Sequence, residues 1–247
     1  MLKLKVIACD VLNREISFLS SQSECFVDVT YLHQGLHNTP DKLNTMLQDE
    51  IDKANKGFPY SYYGTNSDYD FIVLGYGLCS NGVIGITSEK IPMIIPRGHD
   101  CITLLLGSKD RYQQYFDLNP GTYWFTSGWI ERSWQPCEEK HGAIYKEYLE
   151  RYGEENADFL LEMEQSWMKD YKNAAYIDWS CLPNSPSYRK FTKDSADYLN
   201  WSFSELNGDF SLLSRIINGT FSEDEVLIVP PGKKVAPSFD ESILKYE

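Results

Sequence analysis

Short apolar runs alternate with segments of helical spacing along most of the chain. The runs at residues 4–9 (LKVIAC), 71–78 (FIVLGYGL), 92–96 (PMIIP) and 225–229 (EVLIV) read as buried strands, and 25–32 (CFVDVTYL) alternates as a half-buried strand does. Residues 121–126 and 174–179 add two more. Between them lie helix signals. Asp10 stands where an N-cap would open the first helix, and Thr39 with Pro40 opens a second that carries Leu43, Met46, Leu47 and Ile51 at helical spacing. Asp100 caps a third over 101–106, which Gly107 or Ser108 bends before it continues over 111–116. The longest helical signal runs from 143 to about 172, is interrupted near Gly153, and has Phe159, Leu160, Met163, Trp167 and Met168 as its apolar face. Helices over 188–199 and 212–217 follow, the latter stopped by Asn218-Gly219. The tail, 230–247, reads as loop. Strands alternating with helices predict an α/β fold: a three-layer, mainly parallel sheet with helices on both faces, Rossmann-like. One domain over 1–247 is expected, with a helical C-terminal portion from about 143.

Composition narrows the function classes. The net charge is −13 and the pI about 4.8, which disfavours nucleic acid and anionic lipid as partners. No apolar run approaches the roughly 20 residues of a membrane-spanning helix, and the basic start MLKLKVIACD has no h-region or cleavage site. A cytoplasmic protein with reduced thiols is expected, because six cysteines in 247 residues fall short of a secreted disulfide framework. No GxGxxG, GxxxxGK[ST] or GxSxG pattern occurs, so dinucleotide, P-loop and serine-hydrolase readings fall away.

The stretch 71–101, FIVLGYGLCSNGVIGITSEKIPMIIPRGHDC, carries the candidate chemistry. Cys79 and Cys101 lie just past strand ends there, and Cys9 ends the first strand. In an open parallel sheet such positions converge on one edge, where ligands bind. Filler cysteines belong in strand interiors, so Cys9, Cys79 and Cys101, with His99 as fourth ligand or base, are expected to form a metal site. A thiol at a helix N-terminus should ionise easily, which gives Cys101 a depressed pKa and makes it and His99 the catalytic candidates. Arg97 could clamp a carboxylate or phosphate, against the plainer reading of a surface arginine. Gly75-Tyr76-Gly77 breaks its strand as if a ligand approached, so Tyr76, with Asn81 in the following turn and Trp129, is a candidate cofactor contact. Tyr123, Trp124, Trp129 and Trp134 could wall a flat or methylated ligand, although a buried strand face explains Trp124 equally well. His33 and His37 follow the second strand toward the same edge, with His37 the better proton carrier. Cys25 starts its strand and reads as filler, and Cys137 and Cys181 are secondary candidates beside prolines. The tyrosine-rich segment 57–70 is a candidate lid.

The segments VIACDVLNREI, LGYGLCSNGVIG, IPRGHDCITLLLGS and PGTYWFTSGWIE, in that order over residues 5–180, resemble the bacterial and archaeal family called domain of unknown function 1638. The likeness is strongest at Cys9, Cys79, His99, Asp100 and Cys101. The resemblance implies an anaerobe's one-carbon metabolism, beside corrinoid-dependent methyl transfer. His99-x-Cys101 with Cys79 is similar in content to the zinc ligands of cobamide-linked methyltransferases, with the distant cysteine upstream instead of downstream. The expected function is therefore a zinc-dependent, methyltransferase-like enzyme, with a small methylated substrate and a corrinoid protein as the partners the resemblance implies. A three-cysteine iron–sulfur (4Fe-4S) cluster with an open iron, of dehydratase or desulfurase type, and a non-enzymatic metallochaperone or cofactor-binding protein are the alternatives.

Overall fold

A computed structural model of the chain describes residues 1–57 and 68–247, so most of the candidate lid at 57–70 lies outside the described residues. In chain order the elements begin with β1 (Lys3–Cys9), α1 (Asn13–Ser20), β2 (Phe26–Leu32), α2 (Pro40–Ala54), β3 (Phe71–Gly75) and β4 (Met93–Pro96). They continue with α3 (Cys101–Leu106), α4 (Lys109–Leu118), β5 (Thr122–Phe125), α5 (Ser127–Arg132), α6 (Glu138–Tyr152), α7 (Glu154–Glu164) and β6 (Asn173–Asp178). The remainder is α8 (Ser185–Leu199), β7 (Ser202–Asn207), α9 (Ser211–Ile217), β8 (Val226–Val229), β9 (Val235–Pro237) and β10 (Leu244–Tyr246). Among the described residues no helix is long and apolar enough to cross a membrane.

The chain divides into two compact units, Met1–Tyr112 with Asp209–Glu247, and Gln113–Gly208. The first is a mixed α/β unit on a five-stranded sheet ordered β2-β1-β3-β4-β8. Its first four strands run parallel and β8 lies antiparallel on the edge. β1 is buried along its interior, which is why it reads as an apolar run interrupted by Lys5 alone. Ile7, Ile72, Leu74, Met93 and Ile95 from the sheet pack with Leu43, Leu47 and Ile51 of α2 in one core. Lys5, the charged residue within β1, is neutralised by Asp28 of β2 at 2.8 Å and donates to Thr30 at 2.8 Å. The helix starts follow from the local chemistry: Thr39 precedes Pro40 at the head of α2, and the Asp100 carboxylate accepts the Ile102 N–H at 3.0 Å to cap α3.

The second unit holds a three-stranded parallel sheet, β5-β6-β7. Phe125, Tyr176, Tyr188 and Trp201 fill its core.

Four expectations are corrected here. Asp10 is not a cap but lies inside a 3-10 turn that precedes α1, and its side chain makes no capping bond. The tail forms an antiparallel hairpin, β9 with β10, strands too short to show periodicity. The strand expected over 71–78 stops at Gly75, so Cys79 stands four residues past its end. The apolar face expected on the long helix is largely solvent-facing, with Phe159 60%, Met163 59% and Trp167 38% exposed. The break at Gly153 divides that helix into α6 and α7, which pack against each other and so leave the outward side chains uncovered.

Candidate thiol site

The parallel register sets the C-terminal ends of β1, β2, β3 and β4 on one edge. Strand order reverses at β1, since β2 lies on one side of it and β3 on the other. The crevice beyond such a reversal is where open α/β sheets bind ligands. Cys9 ends β1 and Tyr76 follows β3, so both stand beside that crevice.

Beyond the sheet, the chain leaving β3 is zipped to the chain leaving β4. The Leu78 N–H donates to the Gly98 carbonyl (2.8 Å) and the Cys79 N–H to the His99 carbonyl (2.9 Å). This approach requires glycine: a Cβ on Gly77 would fall 2.5 Å from the Gly98 oxygen and 2.9 Å from the Asp100 nitrogen. Cys79, Ser80 and Asn81 then occupy left-handed backbone in succession, at φ 45°, 56° and 68°. L-residues adopt that region at a cost of roughly 1–2 kcal/mol each and rarely in series, and such strain gathers at functional loops. Hydrogen bonds from Gly82 N–H to the Cys79 carbonyl and from Ile84 N–H to the Asn81 carbonyl, both 3.0 Å, hold the turn.

The three thiols Cys9, Cys79 and Cys101 lie within electrostatic range: the Cys9 anion raises the pKa of Cys79, and both raise that of Cys101. Burial pushes Cys9 up to about 11, helped by the Asp10 charge and opposed by the Val11 N–H. Burial, then Asp100 and Cys9, push Cys79 up to about 12. Cys101 rises well above the ordinary thiol value through burial first and then through Asp100, Cys79 and Cys9. The easy ionisation expected of Cys101 is therefore overturned: desolvation and like charges outweigh the N-terminus of a helix of six residues. Alkylation follows from this. In metal-free protein Cys9, Cys79 and Cys101 should react slowly at pH 7, their rates rising about tenfold per pH unit as the thiolate fraction grows. The exposed Cys181 should label first, and mass spectrometry of timed digests reads the order. Rapid labelling of Cys101 at pH 7 would contradict the assigned environment.

Tyr76 lies at the centre of this cluster. It is 3% exposed, and its hydroxyl is buried without a hydrogen-bond partner among the described residues. Burial, followed by Cys9, Cys79, Asp10 and Cys101, raises its pKa. One carboxylate oxygen of Asp10 is likewise buried and unpartnered. Asp100, raised by burial but eased by the N–H groups of Ile102 and Thr103, the Tyr112 hydroxyl and His99, accepts from Tyr112 at 3.1 Å. Burial lowers the His37 pKa while the Asp100 charge, within electrostatic range, partly restores it.

The structure thus brings together Cys9, Cys79, Cys101 and Tyr76. The His99 side chain is exposed, and its backbone carbonyl is the part tied to Cys79. Asn81 is exposed in the left-handed turn. The Arg97 guanidinium donates to the backbone carbonyls of Glu223 (2.9 Å), Ser242 (2.8 Å) and Leu244 (2.6 Å), a fastening role toward the C-terminal segment. Trp129 sits on α5 of the second unit. Asp10 and Tyr112 were not anticipated as site groups; adjacency to Cys9 could have suggested Asp10, whereas nothing in spacing marks Tyr112.

The donor set is suited to a soft or borderline cation, for which thiolates are preferred ligands. A cluster of acids that repel one another as anions becomes favourable once a cation neutralises them. Among the described residues no three His, Cys, Asp or Glu side chains are already placed to hold an ion, so loading needs the cysteines to turn toward a common point.

Comparison of the chain with curated proteins and with solved structures gives no match. A protein family does match, described as "Protein of unknown function (DUF1638)", over residues 31–217. The matched segment contains Cys79, His99, Asp100 and Cys101, and begins after Cys9. Spanning more than half of the sequence, it establishes that the chain belongs to the DUF1638 family.

Proposed function

We propose that the chain is a cytoplasmic metal-binding enzyme of methyl-group chemistry, whose site lies at the C-terminal edge of the first unit's sheet. The observation that carries the metal part is the meeting of three thiols from three separate chain segments around a buried Tyr76 hydroxyl with no partner. The methyl-transfer part rests on the family resemblance. Cys9, Cys79 and Cys101 would hold zinc, each giving up its proton on binding, with His99 completing the set by turning inward. When bound, zinc would supply a Lewis acid that keeps a thiol substrate ionised near neutral pH.

The remaining roles belong to this chain's own groups. Asp100 anchors the head of α3 and, through Tyr112, fixes the backbone that presents Cys101. His37, within electrostatic range of Asp100, would carry away the proton of an incoming thiol. The Tyr76 hydroxyl offers a donor to the substrate in a setting from which water is excluded. We read the first unit as three-layered and Rossmann-like: α2 covers the strand face of Ile7 and Leu74, while Ile16 of α1 lies beside Gly75 on the other.

Zinc-loaded protein should therefore accelerate methyl transfer from methylcobalamin to a small thiol, followed by loss of the methylcobalamin spectrum. Cys101→Ser should reduce the rate at least about tenfold, since loss of even a supporting group costs a metal site about 10–100-fold. A rate equal to zinc in buffer would refute the enzymatic reading and leave a metallochaperone. Iron and sulfide with brown absorbance in the purified protein would instead support the three-cysteine cluster.

A further inference from the structure

We propose that the second unit carries a small-molecule site of its own, a pocket for a planar carboxylate formed around His141, Gln165, Tyr171, Lys172 and Trp201. The cavity measures about 470 Å³, within the roughly 300–1,000 Å³ of ordinary ligand pockets. All of its lining residues belong to this unit, so the site stands apart from the thiols.

His141 is the one buried residue of α6, at 6% exposure. Its Nδ1 lies 3.3 Å from the Tyr198 hydroxyl, while its Nε2 is buried with no partner. Burial first, and then the neighbouring Lys140 charge, lower its pKa against the pull of Glu164, so the ring is neutral near pH 7. An imidazole nitrogen is a far better acceptor than a phenol oxygen, so we assign the Tyr198 hydroxyl as the donor to Nδ1 and the single ring proton to Nε2. Gln165 leaves its amide Nε2 buried and unpartnered in the same lining. Two N–H donors thus wait for an acceptor that the described residues do not supply. Buried donors are almost always satisfied, and a carboxylate would satisfy both.

Charge and shape agree with that ligand. Of the two lysines in the lining, Lys169 is paired with Glu162 at 3.0 Å, and the exposed Lys172 has no ion pair among the described residues, which leaves it to meet an anion. The half-buried Tyr171 ring, backed by the core residue Trp201 with ring centroids 5.8 Å apart and planes tilted by 41°, gives an aromatic wall against which a flat ring can lie.

Benzoate and nicotinate serve as probes, with acetate as the ringless control and benzyl alcohol as the uncharged one. Titrations followed by tryptophan fluorescence and calorimetry should show saturable binding of one or both ring carboxylates at about one per chain, and at least roughly tenfold weaker binding of both controls. Gln165→Leu and Lys172→Ala, neither of them at a fully buried position, should each weaken the probe roughly tenfold, the effect of one hydrogen bond to a charged group. Both should leave the circular dichroism spectrum unchanged. Cys79→Ser should leave probe binding intact, which separates this site from the thiol cluster. Absence of saturation by either ring carboxylate at millimolar concentration, or equal affinity in native protein and both variants, would overturn the proposal.

Discussion

The Tyr76→Phe variant of the metal-free protein should be more stable than the native chain, by about 1–3 kcal/mol. The sign is unusual, because removing a polar group from a protein interior ordinarily costs a hydrogen bond. Here there is none to lose. The Tyr76 hydroxyl is buried without a partner among the described residues, and it lies within electrostatic range of three thiols and the Asp10 carboxylate. Phenylalanine keeps the ring, and with it the packing against the core of the first unit, while removing the desolvated oxygen. The same change should impair substrate use by the zinc-loaded protein if the hydroxyl is the proposed donor to the ligand. Stability exchanged for a ready-made site is a familiar compromise. Urea unfolding of native and variant protein decides the matter. A lower midpoint for Tyr76→Phe would mean that the hydroxyl is satisfied, and the proposed donor role would fall with it.

Gly77→Ala should act in the opposite direction, destabilising the first unit by about 1–3 kcal/mol, as expected for an added methyl that its surroundings cannot accommodate. The methyl would strike the backbone of Gly98 and Asp100, and backbone cannot rotate aside as a flexible side chain does. The two segments that carry Cys79 and Cys101 would be forced apart, so slow alkylation of Cys79 should become fast. Gly142→Ala is the control. That position lies within α6, and a Cβ there meets nothing within 4 Å. Its effect should be stabilising, by roughly 0.5–1 kcal/mol from helix propensity. Equal behaviour of the two variants would show that the zipped approach of the strand extensions does not organise the site.

What could be read from sequence followed the strength of local signals. β1, β3 and β4 announced themselves as apolar runs because they are buried, and Asp100 and Pro40 marked helix starts through backbone chemistry that any context preserves. The meeting of Cys9, Cys79 and Cys101 was legible for a topological reason, since parallel strands share one edge. β7 gave no such signal: its sequence, SFSELN, mixes polar and partly exposed positions on the edge of the second sheet. The three-residue strands β9 and β10 are shorter than any period that could reveal them. The ionisation of Cys101 was misjudged because a helix N-terminus is visible in sequence, whereas desolvation and the convergence of other acids are properties of the folded chain. Tyr112 was missed for the same reason: only the turn from α3 into α4 carries its hydroxyl back to Asp100.

The most direct test of the thiol site is metal content. Protein purified without oxygen would be analysed for zinc, iron and sulfide together with its visible spectrum, beside Cys79→Ala and Cys101→Ala with their folds verified by circular dichroism. The account predicts about one zinc per native chain, as for a single thiolate-rich site, with no visible colour and the metal lost from both variants. Full metal content in both variants, or no metal taken up by the native chain, would contradict it.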